Sequence, residues 1–326
     1  MSKNKVYENK VVIIGAGHVG SHCALALATQ ELCKEIILVD INNAKASAHA
    51  EDIADALIFP CRHVSVRQGE LKECADAAIV IIAIGQPYRQ GQTRLDLIDD
   101  SIRMIHELIN DLRAVDVGGI VITITNPADI VADYVRRGLG LPRERVFSTG
   151  TLLDTARLVR ILSNKSGVSP SSIQAYVMGE HGASAMIPFS LARIGALDYK
   201  AYGIDKKYVL ELTRSIGMEI IGGKLSTEFG IGQVSAMLCR CILRDEKQIL
   251  PLSVLLDGEY GQHDLHAGVP CRVGRGGVES IIELPLTTEE QAMFDNSCDV
   301  IRRYQHRAFE IAPLDRRWRS DKSDKR

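Results

Sequence analysis

The chain has 326 residues, 46 % apolar and 25 % charged, with 39 basic side chains against 41 acidic ones. A net charge of −2 excludes a basic field built for nucleic acid or for an anionic membrane surface. The length suits one large α/β unit or two domains, and no apolar stretch approaches the ~18 residues that would span a bilayer.

In chain order, the polar N-terminus leads with no leader-type apolar region into a β-branched run at 11–14, stopped by glycine. A helical pattern follows at 20–28. Residues 35–40 form a second apolar run and 78–84 a third, the latter stopped by Gly85. Residues 98–112 repeat apolar side chains at helical spacing, and 120–125 form a fourth run ending in Asn126-Pro127. Continuous rather than alternating apolar runs, separated by helices, predict parallel strands buried on both faces: a Rossmann-type doubly wound sheet. From about residue 150 the character changes to a mixed α+β pattern. Residues 151–162 read as a helix, 174–179 as a short strand and 207–222 as an amphipathic helix. Residues 281–284 then precede a helix over 287–307, opened by a Thr-Thr-Glu-Glu cap signal. The expected division is an NAD-binding domain at 8–149, a substrate domain at 150–314 and a solvated, charged tail at 315–326.

The eight cysteines lack metal-type C-x-x-C spacing, Cys239 and Cys241 being the closest pair, and read as reduced thiols of a cytoplasmic protein. His18 and His22 are four apart, but no third ligand stands nearby, so no metal is expected.

Gly15-Ala-Gly17-His18-Val19-Gly20 directly follows the first run and opens the first helix. Gly15 permits the tight turn, Gly17 lets backbone approach a pyrophosphate, and Gly20 lets helix and strand pack closely. The helix N-terminus supplies amide donors to phosphates. A lone glycine pattern is weak evidence, but Asp40 ends the second run 20 residues beyond the last glycine. A carboxylate there suits ribose hydroxyls and repels a 2′-phosphate, so NAD is favoured over NADP. Gly85 and Asn126, at the ends of the third and fourth runs, complete the expected cofactor set.

Four further groups look unlike packing. Gln92-Thr-Arg94 follows a polar loop; Asn126 sits at a strand end; Asp154 and Arg157 lie three apart on one helix face; His181 stands in Gly179-Glu-His-Gly182. Reduction of a 2-oxo acid needs a guanidinium to clamp the substrate carboxylate, which suits Arg157. It needs a proton donor, His181, and an anion to orient it, Asp154. A second cation, Arg94, can polarise the carbonyl, and Asn126 can hydrogen-bond its oxygen. Taken singly, each has a bland reading; the Asp154–Arg157 pair alone would be a surface pair worth under ~1 kcal/mol.

In that order these segments resemble the L-lactate/malate dehydrogenase superfamily over almost the whole chain: Gly15 to Gly20, Asp40, 91–97, 125–127, 153–157, 179–182 and 274–286. The resemblance implies Asp154 and His181 as a proton-relay pair, Arg157 on the substrate carboxylate and Arg94 on a closing loop. It also implies a homo-oligomer, tetramer or dimer, acting on a small 2-oxo/2-hydroxy acid. Malate enzymes of this family carry an arginine, and lactate enzymes a glutamine, where this chain has Tyr88, followed by Arg89. Thr227 matches the lactate type, where malate enzymes tend to have alanine. L-lactate dehydrogenase leads, with malate or larger 2-hydroxy acids, such as the 2-hydroxyisocaproate type, as alternatives. The cations that bind fructose 1,6-bisphosphate in bacterial relatives are replaced by Val159 and Gln174, so no activation by that sugar is expected. Ala183 and Ala185 stand where acidic residues are common.

Other readings are weaker. Tyr202 and Lys206 match a short-chain dehydrogenase pair in spacing only, and Met218 stands where a P-loop ending at Lys224 needs glycine. An NAD-binding sensor would be expected to have lost Arg94, Arg157 or His181, and all three are present.

Overall fold

The computed structural model describes residues 8–85, 94–224 and 226–314. Strands and helices alternate through the first half: β1 (Glu8–Ile14), α1 (His18–Thr29), β2 (Glu35–Val39), α2 (Asn43–Ile58), β3 (Ser65–Gln68), β4 (Ala77–Ile82), α3 (Arg94–Leu112), β5 (Ile120–Thr123), α4 (Ala128–Leu139) and β6 (Val146–Ser148). The six strands are parallel in the order β3-β2-β1-β4-β5-β6. Val11, Val12, Ile13, Ile36, Ile37, Ile79, Val80 and Ile81 are all fully buried, as a sheet covered on both faces requires. The strand order reverses between β1 and β4, which opens a crevice at their C-terminal ends.

The second half contributes α5 (Leu152–Ser166), β7 (Ile173–Gln174), β8 (Arg193–Ile194), β9 (Leu197–Asp198), α6 (Lys206–Lys224), α7 (Phe229–Leu243), β10 (Gln248–Asp257), β11 (His263–Gly274), β12 (Gly277–Ile281) and α8 (Thr288–Ile311). Strands β7 to β9 form a small antiparallel sheet over a satellite core that includes Leu158, Leu162 and Val209. Strands β10 to β12 instead extend the main sheet to nine strands, β10 pairing antiparallel with β6 at Ser253 opposite Ser148.

Two sequence expectations change here. Of residues 174–179, only Gln174 lies in a regular strand; Met178 and Gly179 make single bridges to Met186 and Gly268. Asp40 lies one residue past β2 rather than within it. Helix α8 opens as expected, with Thr287 and Glu290 forming a reciprocal capping box. Glu290 also accepts from the Ser190 backbone at 2.9 Å. No helix among the described residues is long and apolar enough to cross a membrane.

Candidate active site

The glycine loop lies at the switch point, and each glycine answers a different contact. Gly15 has φ +104°, and a Cβ on it would meet the Ala83 carbonyl oxygen at 2.6 Å. A Cβ on Gly20 would fall 1.8 Å from the Gly15 oxygen, so α1 and the β1 turn touch backbone to backbone. The side of Gly17 is open: Lys45 Nζ, 3.9 Å from such a Cβ, is the nearest described atom. His18 and Val19 form the first turn of α1, which no side chain caps. Its free amides and positive dipole end therefore face the crevice. Asp40 accepts from Ala16 N at 2.8 Å through Oδ2 and from Asn42 N at 2.9 Å through Oδ1. Each oxygen keeps a further lone pair for a ligand hydroxyl. A Cβ on Gly85, past β4, would meet nothing within 4 Å, and Asn126 is exposed past β5.

A chain of three side chains stands on α5 and the loop beside it. Asp154 Oδ2 lies 2.6 Å from His181 Nδ1, and its Oδ1 accepts from Arg157 Nη1 at 2.9 Å. Asp154 and Arg157 are one helical turn apart, 11 % and 10 % exposed, while the His181 side chain is 25 % exposed. An ionised Asp154 fixes the proton on Nδ1 and leaves Nε2 to face a ligand. No other hydrogen bond among the described residues engages the Arg157 guanidinium. Gly217 of α6 packs against it, and a Cβ there would come within 3.1 Å of Nη1.

Backbone contacts hold the histidine loop. Gly179, at φ +86°, exchanges two hydrogen bonds with Gly268 of β11 at 2.9 and 2.8 Å. A Cβ on Gly179 would strike Ser297 Oγ of α8 at 2.3 Å, and that hydroxyl accepts from Glu180 N at 2.8 Å. His181 N donates to Asp129 Oδ2 at 2.9 Å. Asp129 follows Asn126-Pro127 by two residues, so α4 ties the Asn126 strand end to the His181 loop.

Electrostatics follow from this packing. The charge of Asp154 holds the His181 imidazole above its usual pKa, against the effect of burial. Burial pushes the Asp154 carboxyl up, but His181 and Arg157 outweigh it and hold it below the ordinary value.

The sequence reading missed Asp129, Gly217, Ser297 and Lys45. Asp129 carries a signal in retrospect, an acid among apolar residues on a buried helix; the others carry none. Thr227 is half-buried in the turn entering α7, close to Phe229, whose ring meets the His22 edge at 4.9 Å. His22 Nδ1 lies 2.6 Å from the His18 carbonyl oxygen. The backbone of Arg94 opens α3; its side chain, Tyr88, Arg89 and the 315–326 tail lie outside the described residues. Tyr202 donates to Ile194 O at 3.4 Å, and Lys224 ends α6 paired with Glu228, so neither alternative motif reaches the crevice.

Comparison with known proteins gives a consistent result. Residues 9–148 match the family described as lactate/malate dehydrogenase, NAD binding domain, and residues 151–311 the lactate/malate dehydrogenase, alpha/beta C-terminal domain. The chain is 39 % identical to the L-lactate dehydrogenase of Fusobacterium nucleatum, covering 90 % of this chain and 95 % of the relative. It is 36 % identical to L-lactate dehydrogenase 1 of Bifidobacterium longum, covering 91 % and 96 %. The ligand-bound minor L-lactate dehydrogenase of Enterococcus mundtii superposes with a TM-score of 0.88 at 34 % identity, covering 92 % and 98 %.

The His181–Asp154 pair makes stability pH-dependent. The raised pKa of His181 adds stability that is full below its unfolded value of about 6.5 and is lost as pH rises through the folded value. The lowered pKa of Asp154 adds stability that is full above about 3.9 and is lost as pH falls through its folded value. Denaturant unfolding of the wild type and of His181→Gln is therefore expected to differ most between about pH 4 and 6.5, with the gap narrowing by pH 9. An equal gap at pH 5.5 and pH 9 contradicts the coupling.

Proposed function

The chain belongs to the lactate/malate dehydrogenase family, and we propose that it is an NAD-dependent L-lactate dehydrogenase that interconverts pyruvate and L-lactate. The observation that carries this reading is the Arg157–Asp154–His181 chain, beside the crevice at the C-terminal ends of β1, β4 and β5. The residues present fit the dinucleotide. Gly17 is open to a pyrophosphate, the α1 amides are uncapped, and Asp40 keeps acceptor capacity for a ribose. Gly15, His18, Val19, Gly20, Gly85 and Asn126 complete the proposed cofactor surface.

When bound, NADH supplies the hydride. Arg157 binds the pyruvate carboxylate through the guanidinium edge not bonded to Asp154, fixing the keto carbon relative to His181. His181 Nε2 gives its proton to the keto oxygen as negative charge develops there, and Asp154 stabilises the imidazolium from which that proton comes. In the reverse direction neutral His181 takes the proton from the lactate hydroxyl. Asn126 hydrogen-bonds the reacting oxygen, and Arg94 polarises the carbonyl. Tyr88 and Thr227 are the residues proposed to set specificity for the group beyond the keto carbon. With no cation at position 88 and a neutral hydroxyl at Thr227, a second carboxylate has no counter-charge at these two positions, which favours pyruvate over oxaloacetate. An aromatic there gives larger apolar acids a weaker claim, since each methylene is worth about 1–3 kcal/mol.

The protein is proposed to be a cytoplasmic homo-oligomer, dimer or tetramer. All eight cysteines are free, seven of them buried, and Ile58 and Phe59 at the C-terminal end of α2 are exposed apolar side chains that a second copy could cover.

NADH oxidation is expected to be fastest with pyruvate among pyruvate, oxaloacetate and 2-oxoisocaproate. Faster oxaloacetate turnover would overturn the lactate reading, and no turnover with any of them would overturn the enzyme. His181→Ala is expected to lower kcat by about 10²–10⁴-fold with NADH binding retained, read by steady-state rates and fluorescence titration. Val159 and Gln174 lack the charge to hold a sugar bisphosphate, so added fructose 1,6-bisphosphate should leave the rate at subsaturating pyruvate unchanged.

A further inference from the structure

Beside the His181 loop lies a cavity that the reaction above does not use. It measures about 450 Å³ and opens between that loop, α6 and α8. Glu180, Ala183 and Ser184 line it from the loop, Arg214 from α6, and Asn296 and Arg303 from α8. Two cations therefore share one concave site. Arg214 donates Nε and Nη2 to the Ala185 carbonyl oxygen at 2.8 and 2.5 Å, which fixes the guanidinium. Its Nη1 has no partner among the described residues. Arg303 Nε donates to the Asp299 carbonyl oxygen of its own helix at 3.3 Å. Both terminal amino groups of Arg303 are without a partner among the described residues. Neither arginine forms an ion pair with a described residue, whereas the adjacent Arg302 is paired with Asp299 at 2.8 Å. Burial pulls the Arg214 guanidinium below its ordinary pKa. The one acid on the lining is engaged within the loop: Glu180 is 3 % exposed, and its Oε2 accepts from Ser184 N at 3.0 Å and Ser184 Oγ at 2.5 Å. Ala183 adds neither charge nor bulk.

We propose that this cavity is a binding site for a small oxyanion, a phosphate or carboxylate head held between Arg214 and Arg303 with the Asn296 amide as a neutral donor. A cleft lined by unpaired cations concentrates anions, and a guanidinium matches two oxygens of either head group. The volume lies within the range of small-molecule sites, about 300–1,000 Å³, so the head can be free or carried on a small organic acid. The bound anion ties α6 and α8 to the loop that carries His181. Filling the cavity breaks no contact of the Asp154–His181 pair, so its effect falls on stability and not on rate. That holds for fructose 1,6-bisphosphate as for any other anion. The site is independent of which 2-oxo acid the enzyme reduces.

The test follows thermal unfolding of the NADH complex against inorganic phosphate and against citrate, with chloride at matched ionic strength as the blank. The wild type is compared with Arg214→Leu, Arg303→Gln and the double variant. The wild-type midpoint is expected to rise along a saturating curve, by about 2–4 °C once the anion is about tenfold above its dissociation constant. Each single variant should need about tenfold more anion for the same rise. The double variant should keep only the linear rise that excluded anions give any folded protein. A saturating rise with phosphate alone supports the site and marks a phosphoryl ligand; one with citrate alone supports it and marks a polycarboxylate; one with both supports the shared chemistry. An identical saturating curve in the wild type and every variant overturns the proposal, because the anion then binds elsewhere. A wild type that saturates with neither anion also overturns it. Arg214→Leu removes two donors from Ala185 O; if that variant does not fold, Arg303→Gln, on an exposed side chain, decides the outcome.

Discussion

Everything in the crevice turns on one buried carboxylate with two cationic partners. Asp154 divides its oxygens between His181 and Arg157, so a single group on α5 sets the tautomer of the imidazole and the orientation of the guanidinium. Leaving either partner alone with Asp154 would expose a buried charge without full compensation. The surrounding backbone serves to keep that division in place. Gly179 and Gly268 lock the histidine loop to β11, Gly217 gives Arg157 the width of its guanidinium, and Asp129 holds the His181 amide.

The cofactor half and the proton half meet because they use the same strand ends. Within three residues of the ends of strands β1, β4 and β5 stand Gly15, Gly85 and Asn126, two residues without side chains and one with a polar one. The chain leaves β5 through Asn126-Pro127 directly into α4, whose third residue from the proline turn, Ile130, is already buried core. A ligand bound along α1 and a carboxylate bound by Arg157 would thus be referred to one rigid edge rather than to independent loops.

The parallel half was legible in the sequence because strands buried on both faces are continuous apolar runs, as 11–14, 78–84 and 120–123 are. Edge strand β3, Ser-Val-Arg-Gln, was not, since its short length and half-exposed side chains lack that signature. Strands β10 and β11 escaped for another reason. Pro251 and Pro270 lie directly opposite each other, and His266 and Gly268 interrupt the apolar pattern, so neither segment reads as a buried strand. Asp154, Arg157 and His181 were readable because the chemistry needs those types. Their supports were not: Gly217 and Ser297 act through shape, which a single sequence does not encode.

The pairing of β10 with β6 has a mechanical consequence. Because hydrogen bonds run unbroken across nine strands, the two halves of the chain share one stiff plate and cannot swing apart as lobes about a hinge. Access to the crevice must then come from pieces bolted to the plate's rim, moving one at a time while the plate stays still. A substrate would thus enter a site whose floor is already at its final geometry, and only its walls remain to be set.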